Sequence, residues 1–216
     1  MDKTGLKRAV ARLFTTEKIY KSDKFGYWGT MDNKFKQRIG DYNSVYTDAS
    51  SHALSTEAYR NERGKEAGEA LLKKIEAGEV KMKAGETVKM VSHSQGGAYA
   101  AGMAEVLVNA GYKVEVSYNI APKQPGDIEN SDKVGRIVQY SSPSDFIAHQ
   151  SNMPGADEIR NDVVPKSEQG VTTGGGHTTD IYQDNKSTDA NKDKSGIFAI
   201  PAGKPGAVEP KKDNPQ

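Results

Sequence analysis

Apolar residues return at helical spacing in three stretches of the chain and at strand spacing in three more. Leu6, Val10, Leu13 and Phe14 mark one side of a short amphipathic helix over 5–20. A second helix opens at Ser55-Thr56-Glu57 and runs to Ala77, with Ala67, Leu71, Leu72 and Ile75 on one face and Gly78 as its stop. A third spans 95–109 and closes at Gly111. The segments GETVKMVS (85–92), YKVEVSYNI (112–120) and VGRIVQYSS (134–142) read as strands. The order helix, strand, helix, strand, connection, strand predicts a three-layer α/β fold with a mainly parallel sheet flanked by helices. The connection over 121–133 is rich in Pro, Gly and Asp and is not clearly helical. Residues 24–33 form a glycine-punctuated loop carrying Trp28, and 35–54 read as polar loop with short elements. From Gln183 the chain turns charged and rich in Pro and Gly, the composition of a disordered tail. Within that tail only GIFAIP is apolar enough to dock as a short edge strand. The expected division is one domain over 1–182 and a tail over 183–216.

Composition narrows the function classes. With 216 residues the chain holds one sizeable core. A net charge of +1 points to neither a nucleic-acid partner nor an anionic membrane. Cysteine is absent, which excludes disulfides, thiolate nucleophiles and cysteine metal sites but does not fix a compartment. Mean hydropathy is −0.75, no run approaches a membrane span, and the N-terminal stretch lacks the apolar core of a signal peptide.

One junction carries chemistry. In TVKMVSHSQGGAYAAGMAEVL, Ser94 sits at the apex of a strand, a tight turn and a helix. Such a turn lifts the apex side chain above the C-terminal edge of the sheet and aims the following amides the same way. The pattern Ser92-x-Ser94-x-Gly96 is G-x-S-x-G with serine in the first position. A serine hydroxyl needs a base, usually histidine, held by a carboxylate, and an elbow serine expects them in the order Ser, Asp or Glu, His. Asp145 in YSSPSDFIAH follows a later strand, and His177 in TTGGGHTTDIY lies beyond it in a glycine-rich loop. His149, four residues after Asp145, is the main rival base. His93 lines the elbow beside Ser94, and His52 belongs to the surface. Asp127, Asp157 and Asp162 are alternative acids, each read as a solvated loop residue. An oxyanion hole would take one amide from Gln95 and a second from FGYWGTMDN, where Gly29 permits close approach and Thr30 or Met31 supplies the N–H. An ordinary glycine turn with Trp28 in the core explains that loop equally well.

Together VSHSQGGAYAAGMAEVL, YNIAPKQPGD, YSSPSDFIAH and GGGHTTDIY resemble the α/β-hydrolase lipases, nearest to the class 3 type and its bacterial relatives. The likeness covers about residues 24–182, and Tyr27–Thr30 (YWGT) is similar to the family's oxyanion loop. The resemblance implies Ser94 as nucleophile, Asp145 as acid and His177 as base. It also implies a lipid or small-ester substrate, transient contact with a membrane surface, and no metal or cofactor. Ser92 in place of glycine, the lack of clear strands before the oxyanion loop and the lack of an apolar lid helix predict a trimmed sheet of about six strands. Strong activation on bulk fat is not expected. More loosely, the chain resembles toxin modules of exported bacterial effectors, some of them phospholipases, which implies an immunity-type protein partner. A non-catalytic binding module on the same fold, or a peptidase or thioesterase using the same triad, are the competing readings.

Overall fold

In a computed structural model, the described residues are 17–23, 26–141, 145 and 151–160. The expected helix over 5–16 and the tail over 183–216 lie outside them. Four strands, β3 (Val88–His93), β4 (Val114–Ile120), β5 (Ile137–Tyr140) and β6 (Glu158–Arg160), form one parallel sheet in the order β3-β4-β5-β6. Two residue pairs, β1 (Ile19–Tyr20) and β2 (Tyr46–Thr47), make a separate antiparallel ladder. Helix α1 covers Thr30–Ile39, α2 Glu57–Glu76 and α3 Gly96–Asn109. The fold is thus mixed helix and sheet, with a four-stranded parallel sheet flanked by helices, compatible with the α/β class.

Three expectations need correction. Residues 19–20, assigned by periodicity to the first helix, are the strand β1. The stretch from Phe35, read as polar loop, begins inside α1: Met31, Phe35 and Ile39 recur every fourth residue, a narrow apolar stripe that the surrounding Lys, Asp and Gln obscure. Among the described residues the main sheet has four strands, against an expected count of about six. The other predicted elements fall within a few residues of their expected bounds, and the connection after β4 holds only a 3₁₀ turn, Pro125–Asp127.

The sheet buries both faces, as parallel sheets do. On one face Met31 and Phe35 of α1 pack with Tyr118, Ile120, Val138 and Tyr140, and the Phe35 and Tyr118 rings meet edge to face at 5.4 Å. On the other lies α3, whose run Gly96–Ala104 is buried throughout, and α2 packs outside it. This close stacking depends on two missing side chains. A Cβ on Gly64 would lie 1.9 Å from the Tyr99 carbonyl oxygen, and one on Gly102 would lie 2.0 Å from that of Asn61. A backbone atom cannot swing aside as a side chain can. Glu17 ties the two helices further, accepting from Tyr99 Oη at 2.7 Å and from Arg63 Nε at 2.8 Å. Burial and the adjacent carboxylate push the Tyr99 phenol far up, so it stays protonated and serves as the donor.

Intrinsic helix propensity favours alanine over glycine by about 1 kcal/mol. Gly102→Ala should nevertheless lower the unfolding free energy, by about 1–3 kcal/mol, because overpacking outweighs that gain. Urea unfolding monitored by circular dichroism measures the sign, and an increase in stability would refute the close-packing account.

Candidate functional site

The C-terminal edge of the sheet concentrates backbone strain. Among the described residues, the non-glycine residues with positive φ are Ser94 (55°), Ala121 (39°) and Gln124 (53°). Ser94 follows β3 directly, and the other two follow β4. Each such conformation costs on the order of 1–3 kcal/mol and persists only where its surroundings fix it. The fixing bonds are visible. The Ser94 amide donates to Ile120 O at 2.9 Å, and the Ala121 amide to Tyr140 O at 2.8 Å. The Ser94 carbonyl accepts from Lys123 N at 3.0 Å and from Gly97 N at 3.2 Å.

Beneath the turn, Ser92, Asn119 and Gln139 lie in register across β3, β4 and β5. All three are buried. Ser92 Oγ donates to Asn119 Oδ1 at 2.8 Å, while Gln139 accepts from the Met153 amide at 2.7 Å and donates to Ser151 O at 3.0 Å. Ser92 therefore does more than substitute for a small residue. Its Cβ also packs where a Cβ on Gly96 would come within 3.5 Å, so the helix sits directly on it.

A second set of bonds holds the turn from the side of α2. The Gln95 Oε1 accepts from Ser51 N at 3.1 Å and from Ser51 Oγ, and the Ser51 and Ser55 hydroxyls are 2.6 Å apart. Arg60, fully buried, donates to Ser55 O at 2.5 Å and to Gln124 Oε1 at 3.0 Å. Gln95, the N-cap of α3, thus spends its side chain on the neighbouring loop and makes no side-chain cap. Burial lowers the Lys123 ammonium, and the Arg60 charge lowers it further; its Nζ donates to Ala53 O.

The loop before α1 docks on the elbow through its own contacts. Tyr27 Oη bonds His93 Nδ1 at 2.5 Å, and burial raises the Tyr27 phenol. The Asp23 carboxylate accepts the amides of Tyr27 at 3.0 Å and Trp28 at 2.9 Å. Gly29 then takes φ 50°, ψ −128°, a conformation that disfavours any residue with a Cβ, and Thr30 starts the helix. The Met31 amide donates to Trp28 O at 2.9 Å, and its side chain is buried. Of the two expected loop donors, Met31 is therefore committed within its own turn, which leaves Thr30.

The sequence candidates fall into three groups. Ser94, Gln95, His93 and the Tyr27–Thr30 loop gather at one end of β3. Asp145 follows the last residue of β5 by five positions and is 1% exposed. Since adjacent strands are about 4.8 Å apart, β5 stands about 10 Å from β3. His177, His149 and Asp162 lie outside the described residues. His52 and Asp127 are exposed, as expected of surface residues. Asp157 is exposed in the bend before β6, as expected, and its carboxylate also accepts the Ile137 amide at 2.8 Å. Sequence reasoning missed Tyr27, Asn119 and the Ser51–Ser55–Arg60 chain. None stood out in the sequence: Asn119 is one of three polar residues, with Glu115 and Ser117, in β4.

Among the described residues no group of metal-ligating side chains converges, and no helix is long and apolar enough to cross a membrane. No known family, curated protein or solved structure matches the chain.

The Ser92–Asn119 bond is separable from the rest by a double-mutant cycle of Ser92→Ala and Asn119→Ala. A coupling of about 0.5–1.5 kcal/mol in unfolding free energy is expected for a buried neutral hydrogen bond. Strict additivity would mean that the two side chains hold the elbow independently.

Proposed function

We propose that the chain is a serine hydrolase of acyl esters on a trimmed α/β-hydrolase-like fold. The observation that carries this reading is the positive φ of Ser94, a non-glycine residue held at the apex of a strand–turn–helix. A purely structural turn gains nothing from a serine there, since glycine would relieve the strain. Three further features support it: the buried Asp145 beyond β5, the docked Gly29–Thr30 loop, and a helix N-terminus whose cap leaves backbone donors beside the serine.

In this mechanism Ser94 Oγ attacks the ester carbonyl carbon while His177 takes the hydroxyl proton. Asp145 orients the imidazole and stabilises its charged form. The carbonyl oxygen becomes an oxyanion held by the amides of Gln95 and Thr30, a donor pair in which each member is worth roughly 3–4 kcal/mol. Collapse of the tetrahedral intermediate breaks the C–O bond, and the imidazolium gives its proton to the departing alcohol. Water, deprotonated by His177, then attacks the acyl-enzyme and releases the carboxylic acid. The substrate is a lipid or a small ester. A role as an exported effector with an immunity partner belongs to the same proposal and rests on the sequence resemblance alone.

Ser94→Ala should abolish hydrolysis of p-nitrophenyl butyrate and labelling by a fluorophosphonate, with the circular dichroism spectrum unchanged. Retained turnover would eliminate Ser94 as nucleophile. His177→Ala should lower turnover by several orders of magnitude; if His149→Ala does so instead, the base is His149. Absence of both labelling and turnover in the wild-type protein would favour the binding-module reading.

A further inference from the structure

Among the described residues β3 pairs on one side only, with β4. A cavity of about 190 Å³ lies beside it. Trp28, Met31 and Phe35 form one wall, Leu71 and Ile75 of α2 another, and Val91 of β3 a third. The two lysines that reach this lining are each held by carboxylates. Lys36 Nζ lies 2.6 Å from Asp32 and 2.6 Å from the Tyr46 hydroxyl, which itself donates to Asp32 at 2.7 Å. Lys89 Nζ lies 3.3 Å from Glu115 and 3.9 Å from Asp41. Glu86, the remaining charged residue of the lining, accepts the Lys83 amide at 2.6 Å. Both lysines of the lining are thus held by carboxylates, and the Trp28, Met31, Phe35, Leu71, Ile75 and Val91 walls suit hydrocarbon.

The cavity adjoins the candidate site through neighbours of its residues. Trp28 and Met31 flank Gly29 and Thr30, the loop of the second oxyanion donor. Ile120 lines the cavity, and its carbonyl accepts the Ser94 amide. Val91 precedes Ser94 by three residues, about 10 Å along the strand. We infer that this cavity binds the acyl chain of the ester, and that it selects chains of medium length. The assignment of the chain's ester end rests on the hydrolase reading above; the chain-binding site itself does not. A cavity of about 150 Å³ takes up benzene, with six carbons, which scales to about eight carbons here. Longer chains must leave part of their length in water, and shorter ones leave the cavity partly empty.

Trp28 is the sole tryptophan of the chain and lies in the cavity wall, so its emission reports occupancy directly. The test titrates full-length Ser94→Ala protein with octan-1-ol, using butan-1-ol as the short-chain control. It also measures turnover of p-nitrophenyl acetate, octanoate and palmitate by proteins with serine in place. Val45→Phe and Ile75→Phe, two partly buried wall positions, fill the space from different sides. Both are checked for native circular dichroism and thermal midpoint, so that one misfolded variant leaves the other informative. The expected result is a saturable Trp28 shift with octan-1-ol that either filling variant abolishes. Octanoate turnover should fall about tenfold, the equivalent of about two lost methylene burials, with acetate turnover within about twofold. Two outcomes overturn the inference: no saturable shift, or equal losses on acetate and octanoate in both folded variants. Saturable octan-1-ol binding in a protein that cleaves no ester would uphold the chain-binding cavity and sink the hydrolase reading.

Discussion

The close approach of α3 to its surroundings on two sides is the constraint on which the rest depends. The helix lies between the sheet and α2, and Gly64 and Gly102 let two backbones meet where a methyl group would collide with a carbonyl. Side chains in the buried first turns are mostly Gly and Ala, so the helix start sits almost against β3 and β4. With larger residues, α3 would stand farther off and the link from His93 to Gly96 could be a relaxed loop. The strain at Ser94 is therefore a consequence of helix packing two turns away, and its energetic cost is met by burial of the whole helix.

Packing alone fixes a distance, whereas hydrogen bonds fix an orientation. The buried row of Ser92, Asn119 and Gln139 crosses three strands one residue before the sheet's C-terminal edge. Because these groups are out of water, each shift in strand register would leave donors and acceptors unmet, at about 1–3 kcal/mol apiece. That penalty pins β3, β4 and β5 in the register that brings His93, Ile120 and Tyr140 level. The Gln95–Ser51–Ser55–Arg60–Gln124 chain works at right angles to it, tying the turn after β3 to the turn after β4 by way of α2. The elbow is held from below and from the side, which is what a preorganised donor set requires.

Local patterns made α2, β3, α3, β4 and β5 legible, because each has its own periodicity and its own stop signal. The strand–turn–helix around Ser94 was legible for the same reason: Gly96, Gly97 and the alanines after them leave few alternatives. What the pattern concealed is long-range. Helix α1 buries Met31 and only partly buries Phe35 and Ile39, a stripe one residue wide that its polar residues outweighed. The ties through Arg60 span 64 positions to Gln124, and Tyr27 reaches 66 positions to His93. No window of sequence contains such pairs. The bond from the β5 amide of Ile137 to the exposed loop acid Asp157 was hidden in the same way, because a backbone amide has no side-chain signature.

Among the described residues β3 pairs only with β4, which raises the question of what confines the serine's other flank. In a wider sheet another strand would do so and carry the second donor loop. Here the loop before α1 lies by that flank, α1 itself covering the adjacent sheet face, and the Tyr27–His93 bond holds the loop to β3. Replacing a strand by a helix changes the space left behind. Strands pair at about 4.8 Å, but a helix packs at about 8–10 Å from its neighbours, and only large side chains can fill the difference. Trp28, Met31 and Phe35 fill part of it and leave the rest as the cavity. The docked loop and the apolar space below it thus belong together: both occupy the side of β3 that, among the described residues, no strand covers.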